Sequence, residues 1–142
     1  MDTQDIARVQ DSFAQIKPGA EALVGVFYAR LFARTPALRA MFPQEMDAQR
    51  KKLTRILATA VAALAQVETL VPALKEMGAR HVTYGVTPEH YDLVGEALLG
   101  ALAAALGPRW TPELAASWTA VYGVLAGTML AGAEAATALD AV

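Results

Sequence analysis

All seven prolines of this 142-residue chain fall where a helix can start or stop, and that punctuation constrains the fold more than any other feature. Proline has no N–H to donate and clashes with the turn before it, so it is tolerated only in a helix's first turn or beyond its end. Lys17-Pro18-Gly19 closes a first helix that Asp2 or Thr3 can cap and that runs to about Ile16. A second helix, roughly Glu21–Ala33, carries Val24, Phe27, Tyr28, Leu31 and Phe32 at helical spacing. Thr35-Pro36 opens a short turn of helix that Met41-Phe42-Pro43 closes. After a loop of about five residues, a long helix is predicted from about Ala48 to Ala65. Pro72 lies in the first turn of a helix that ends in His81.

Gly85-Val86-Thr87-Pro88 is a break with Thr87 as N-cap, and the helix that follows runs through Leu106 to Gly107-Pro108. Thr111-Pro112-Glu113 repeats the cap-and-proline signature and opens a last helix to about Ala136, with the tail from Ala135 to Val142 expected to fray. No strand alternation and no internal repeat appears. The prediction is an all-α fold of about seven helices in a single domain spanning residues 1–142.

Composition removes several classes of function. A hydrophobic fraction of 55% against 18% charged residues describes a core-rich globule, and the net charge of −2 offers no basic surplus for nucleic acid. The absence of cysteine excludes disulfides, thiolate catalysis and Cys-based zinc or iron–sulfur centres, and permits a reducing compartment. Met1-Asp2-Thr3-Gln4-Asp5 is acidic and polar, without the features of a secretory leader. The apolar stretches around Ala97–Leu106 and Val121–Ala133 are each shorter than the ~18 residues of a membrane span. A cytoplasmic protein without a membrane span is expected.

Only two histidines are present, and His81 shares one helix face with Leu70, Leu74 and Met77, at spacings of four, seven and eleven residues from Leu70. An imidazole on an apolar face either satisfies both nitrogens inside the core or binds something. Its surroundings offer candidates for the other side of a cavity. Gln49 heads a stripe with Leu53, Ile56 and Ala60, and Tyr28 sits beside Phe27 one turn before Phe32. A phenol and an amide facing an apolar cavity suit a ligand with one polar end. Taken alone, Tyr28 is equally a core tyrosine and Gln49 a surface residue.

The order of these segments resembles the bacterial globins. Phe27-Tyr28-Ala29-Arg30-Leu31-Phe32, Pro36 and Met41-Phe42-Pro43 look like the early helices of that family. Gly78-Ala79-Arg80-His81-Val82-Thr83-Tyr84-Gly85-Val86 resembles its proximal-histidine segment, continued by Glu89-His90-Tyr91-Asp92-Leu93-Val94-Gly95-Glu96-Ala97-Leu98-Leu99. Trp118-Thr119-Ala120-Val121-Tyr122-Gly123 is similar to the last helix. The likeness covers roughly residues 4 to 133 and is greatest to single-domain globins akin to the haem domain of flavohaemoglobins.

The resemblance implies a globin fold around haem b (iron protoporphyrin IX), with His81 as the proximal ligand to iron. Phe42, Leu53, Met77, Arg80, Tyr84 and Tyr91 would contact the haem, Phe42 as a wedge at the bend after the short third helix. Tyr28 and Gln49 would line the distal pocket with Leu53 as its apolar wall, donating hydrogen bonds to bound dioxygen and slowing its release. His90 lies beyond the Gly85–Pro88 break, so the sixth position has no histidine. Lys51, Lys52 or Met46 could fold in, although Tyr28 or Gln49 with water is the expected ferric arrangement.

Two departures from flavohaemoglobins matter. Those proteins pair the proximal imidazole with a tyrosine and a glutamate; Tyr91 matches the tyrosine, but the glutamate position falls on Ala133, with Glu134 one residue away. The chain also shows no GxGxxG fingerprint or flavin module, so sustained nitric oxide dioxygenation would need an external reductase. Arg50, Lys51, Lys52 and Arg80 are candidates for haem propionates or such a partner, against a bland alternative of solvated helix faces. The implied function is reversible binding of dioxygen, and of other diatomic gases such as NO and CO, with nitric oxide dioxygenase as the alternative. A haem-based sensor lacks an output domain here, and a haem-free interaction module would have no use for His81, Phe42 and the Tyr28/Gln49 pair.

Overall fold

The computed structural model describes residues 1–140. Six α-helices run α1 (Thr3–Ile16), α2 (Ala20–Arg34), α3 (Asp47–Ala62), α4 (Val71–Thr83), α5 (Pro88–Leu106) and α6 (Pro112–Asp140), and no strand occurs among the described residues. Short 3-10 segments lie between them, and the one at Pro36–Met41 is the short third helix read from the sequence. The helical end-signals act as expected. Asp2 and Asp5 form a reciprocal capping box, each backbone N–H donating to the other's carboxylate at 3.0 and 2.8 Å. Thr111 Oγ1 accepts from the Leu114 N–H at 3.1 Å, and Gly107 ends α5 at φ +55°, a conformation that side chains rarely adopt.

α4 packs chiefly on α6, α2 on α5, and α1 on α6. The central core combines Val9 and Phe13 of α1, Leu23, Val24, Phe27 and Leu31 of α2, Ala101, Leu102 and Leu106 of α5, and Trp118 and Val121 of α6. Each fully buried aliphatic or aromatic side chain stabilises the fold by about 1.5–3 kcal/mol relative to an exposed one.

Two boundaries differ from the sequence expectation. α3 ends at Ala62 rather than about Ala65, and Leu64–Leu70 is a 3-10 segment with a break at Gln66 (φ −123°, ψ 48°). No glycine or proline marks that stop. It is imposed from a distance: the Gln10 side-chain amide on α1 donates to the Val61 and Ala62 carbonyls at 3.0 and 3.5 Å, while Leu64 turns into the core. At the other end, α6 continues as helix through Asp140, past the point where fraying is expected, and residues 141–142 lie outside the described residues.

The Pro112–Ala138 part of α6 is long and apolar enough to cross a membrane by length and composition, with a mean hydropathy of 1.4, and is longer than the stretch singled out above. Within it Leu114, Trp118, Val121 and Ala126 are buried, and α1, α4 and α5 lie against it.

Polar groups tie α1 to α6 inside this packing. The Trp118 indole N–H donates to Ser12 Oγ at 3.0 Å, and the Ser12 hydroxyl donates to the Val9 carbonyl at 2.9 Å. Ser117, also buried, donates to Asp5 Oδ1 at 2.8 Å. Ser12→Ala strands the buried indole N–H and should cost about 1–3 kcal/mol, read as a lower midpoint in urea unfolding; an unchanged midpoint would dismiss the bond as a stabiliser. The Asp2 backbone N–H, and then the Ser117 hydroxyl, hold the Asp5 carboxyl below its ordinary range. That contribution is therefore complete at neutral pH and lost as pH falls through the folded-state value. Asp5→Asn should reduce stability at neutral pH and flatten its acid dependence.

Candidate functional site

α4 carries His81 in its last turn. Its Nδ1 lies 2.6 Å from the Met77 carbonyl oxygen, one turn back. A carbonyl can only accept, so Nδ1 carries the proton and the lone pair resides on Nε2. The ring is half-buried, and no described protein group bonds to Nε2. Gly85, at φ +86°, ends the turn just beyond. The side chain of Tyr84 lies beside the imidazole, ring centroids 5.5 Å apart, and is 56% exposed. Arg80 is exposed and pairs with Glu76 at 3.5 Å along its own helix.

A second group assembles from α2, the Pro36–Met41 turn and α3. Tyr28 is buried, its ring 4.9 Å from Phe27, 5.5 Å from Phe42 and 5.8 Å from Phe32. The Gln49 side-chain amide donates to Tyr28 Oη at 3.1 Å. Burial pushes the Tyr28 phenol above its ordinary pKa, opposed in part by that bond, so the phenol keeps its proton at neutral pH. Leu53, one turn after Gln49, is half-buried against the core.

Phe42 leaves the 3-10 turn in extended conformation (φ −115°, ψ 157°). A residue that the sequence does not single out holds this bend: Arg39 donates to the carbonyls of Phe42, Pro43 and Gln44 at 3.5, 2.8 and 2.8 Å, and its guanidinium lies 5.5 Å from the Phe32 ring centre. Its only signal is an arginine three residues before Phe42. Met41 Cε lies 3.9 Å from where a side chain on Gly85 would begin, so the bend abuts the end of α4. The phenol, amide and Phe42 thus form one directly contacting set, and His81, Met77 and Tyr84 another.

Tyr91 of α5 is buried, and its hydroxyl has no hydrogen-bond partner among the described residues. The Tyr122 hydroxyl donates to the Tyr91 carbonyl at 2.5 Å. Glu134 is exposed, while Ala133 is half-buried, so the carboxylate beside the missing glutamate position points to solvent. Arg50 pairs with Asp47; Lys51 and Lys52 are exposed. His90 accepts the Thr87 N–H at 2.9 Å through Nδ1 and is occupied in capping α5.

No three His, Asp or Glu side chains among the described residues gather as a metal cluster. A lone imidazole with a free Nε2 fits a metal whose remaining ligands come from a macrocycle, and the orphaned Tyr91 hydroxyl and the Tyr28–Gln49 pair fit a bound group with polar requirements.

Residues 25–129 match the globin family profile. The chain is 37% identical over 134 residues to a flavohemoprotein of Bordetella parapertussis, covering 92% of this chain and 33% of that protein. It is 31% identical over 129 residues to a flavohemoprotein of Bacillus subtilis, covering 89% and 32%. It therefore spans about a third of the length of these relatives. An engineered carbene transferase from Rhodothermus marinus superposes with a TM-score of 0.90 at 27% identity, covering 100% of this chain and 99% of that one. A bacterial globin from Campylobacter jejuni superposes at 0.83 and 25% identity, covering 94% and 96%.

Proposed function

The chain belongs to the globin family, a haem-binding one, and on that premise we propose that it holds haem b through His81 and reversibly binds dioxygen and other diatomic gases for storage or delivery. The observation that carries this is the 2.6 Å contact of His81 Nδ1 with the Met77 carbonyl oxygen, which commits the Nδ1–H and leaves the Nε2 lone pair for a metal. When bound, haem would supply an iron able to take up a diatomic gas. Met77 orients the imidazole, which has a neutral carbonyl partner and no carboxylate. Phe42, held by Arg39, would pack against the haem, with Met77, Arg80, Tyr84 and Tyr91 as its other contacts. Leu53 would wall the gas pocket, Tyr28 would donate to a bound gas, and Gln49 would orient Tyr28.

Absorption spectra of haem-reconstituted protein test this. One haem per chain and a Soret band that shifts sharply on adding carbon monoxide to the ferrous form are expected. A low-spin ferrous spectrum before gas would mean an internal sixth ligand, and no uptake would overturn the proposal. The same proposal puts the protein in the cytoplasm with α6 as a core helix, and recovery in the membrane fraction would overturn that placement.

A second reading rests on the flavohemoprotein relatives: nitric oxide dioxygenation, NO + O2 + e⁻ → NO3⁻. Each turnover consumes one electron, so the described residues, with no flavin fingerprint, need an external reductase. Nitrate formation that continues only with added reductase supports it. Formation that stops after one equivalent, with reductase present, leaves gas binding as the function.

A further inference from the structure

The proximal helix is held by backbone contact. A Cβ added to Gly78 on α4 would lie 1.8 Å from the Met129 carbonyl oxygen on α6, and one added to Gly132 on α6 would lie 2.1 Å from the Lys75 carbonyl oxygen on α4. The arrangement is reciprocal: each glycine meets the carbonyl lying three residues before the other. Both obstacles are backbone, so neither can rotate aside as a side chain would. Two contacts one turn apart fix both the position of α4 along α6 and its rotation. By contrast, a Cβ at Gly123 or Gly127, also on α6, meets nothing within 4 Å.

His81 follows Gly78 by three residues, about 4.5 Å along the helix. We propose that Gly78 and Gly132 are positioning residues, a two-glycine clamp that sets where His81 Nε2 stands relative to the haem iron; this rests on the haem assignment above. A methyl group at either position must open the contact by about 1 Å, and a rigid α4 passes that displacement to the imidazole. The unused carbonyl lone pairs face glycine Cα–H groups, a contact that only the absence of a side chain permits.

Resonance Raman spectra of the ferrous, gas-free holoprotein read the iron–imidazole stretch directly. Gly78→Ala and Gly132→Ala should each shift that band and speed haem loss about tenfold or more. Gly127→Ala, and Ser12→Ala as a destabilised control, should leave the band in place. With His81→Gly and imidazole added in solution, the ligand is no longer tethered to α4, so adding Gly78→Ala should shift nothing. Unmoved bands in both glycine variants, or an equal shift in Ser12→Ala, would overturn the clamp.

Wild-type apoprotein provides a test without variants. Since the clamp needs no haem, the amides from Leu74 to Ala79 should exchange hydrogen as slowly as those of α6, and exchange at free-peptide rates would overturn it. Failure of wild type to take up haem would sink the haem assignment while leaving that exchange result intact.

Discussion

His81→Ala should abolish stoichiometric haem binding, lowering retention more than about 100-fold, beyond the 10–100-fold that loss of a ligand's outer partner costs. Neither the other histidine nor the buried Tyr91 can substitute. His90, the other histidine, has its Nδ1 engaged by the Thr87 N–H at the start of α5. Tyr91 is a buried phenol that burial pushes above its ordinary pKa, so it offers no phenolate at neutral pH. The fold should survive, because α4 is held by the Gly78 and Gly132 contacts and by Leu74. The variant should therefore give the helical circular dichroism of wild-type apoprotein without a Soret band at equimolar haem. Millimolar imidazole should restore a ferric spectrum in His81→Gly, where the side chain leaves room. A full Soret band in His81→Ala would remove His81 as the ligand and leave its Met77 bond as a core interaction.

How much of this is legible in the sequence depends on whether each cause is local. Caps and prolines are local, and Asp2, Thr87 with Pro88, and Thr111 with Pro112 place α1, α5 and α6 to within a residue or two at their starts. The stop of α3 is not, since its cause is a glutamine on α1, and neither is the Arg39 brace on the Phe42 bend. The partnership of Tyr28 with Gln49 spans 21 residues. Helical spacing puts each on an inward face but cannot say that they touch. The orientation of the His81 imidazole is different, because Met77 and His81 stand one turn apart on one helix and their bond is implicit in that spacing. Gly78 and Gly132 look like ordinary helix glycines until two backbones are seen to meet there. Counting three turns from Tyr122 puts Ala133 at the glutamate position, and Glu134, one residue on, is exposed.

Tyr28→Phe should raise the dioxygen off-rate roughly 10- to 100-fold, the equivalent of losing a hydrogen bond to a charged acceptor worth about 1.5–3 kcal/mol. Phenylalanine keeps the ring and its contacts with Phe27 and Phe42, so the change isolates the hydroxyl. Because the Gln49 amide donates to Tyr28 Oη, the phenol's own hydrogen is left to point at the gas. Tyr28 is then the direct donor and Gln49 its support. Gln49→Leu should accelerate release less, and the double variant should release no faster than Tyr28→Phe alone. A larger effect from Gln49→Leu would reverse the two roles, and an unchanged off-rate in Tyr28→Phe would remove the phenol from the site. The pH dependence follows from the same burial. With its pKa raised, Tyr28 remains a donor beyond pH about 10, where free tyrosine ionises. The off-rate should stay flat through neutral pH to that point and rise only as the phenolate forms. Folding stability has the same sign: the neutral phenol's contribution is complete below the ordinary pKa and disappears as pH rises through the folded-state value. Off-rate and stability should therefore turn upward and downward over one alkaline range in wild type, and Tyr28→Phe should remove Tyr28's share of both changes.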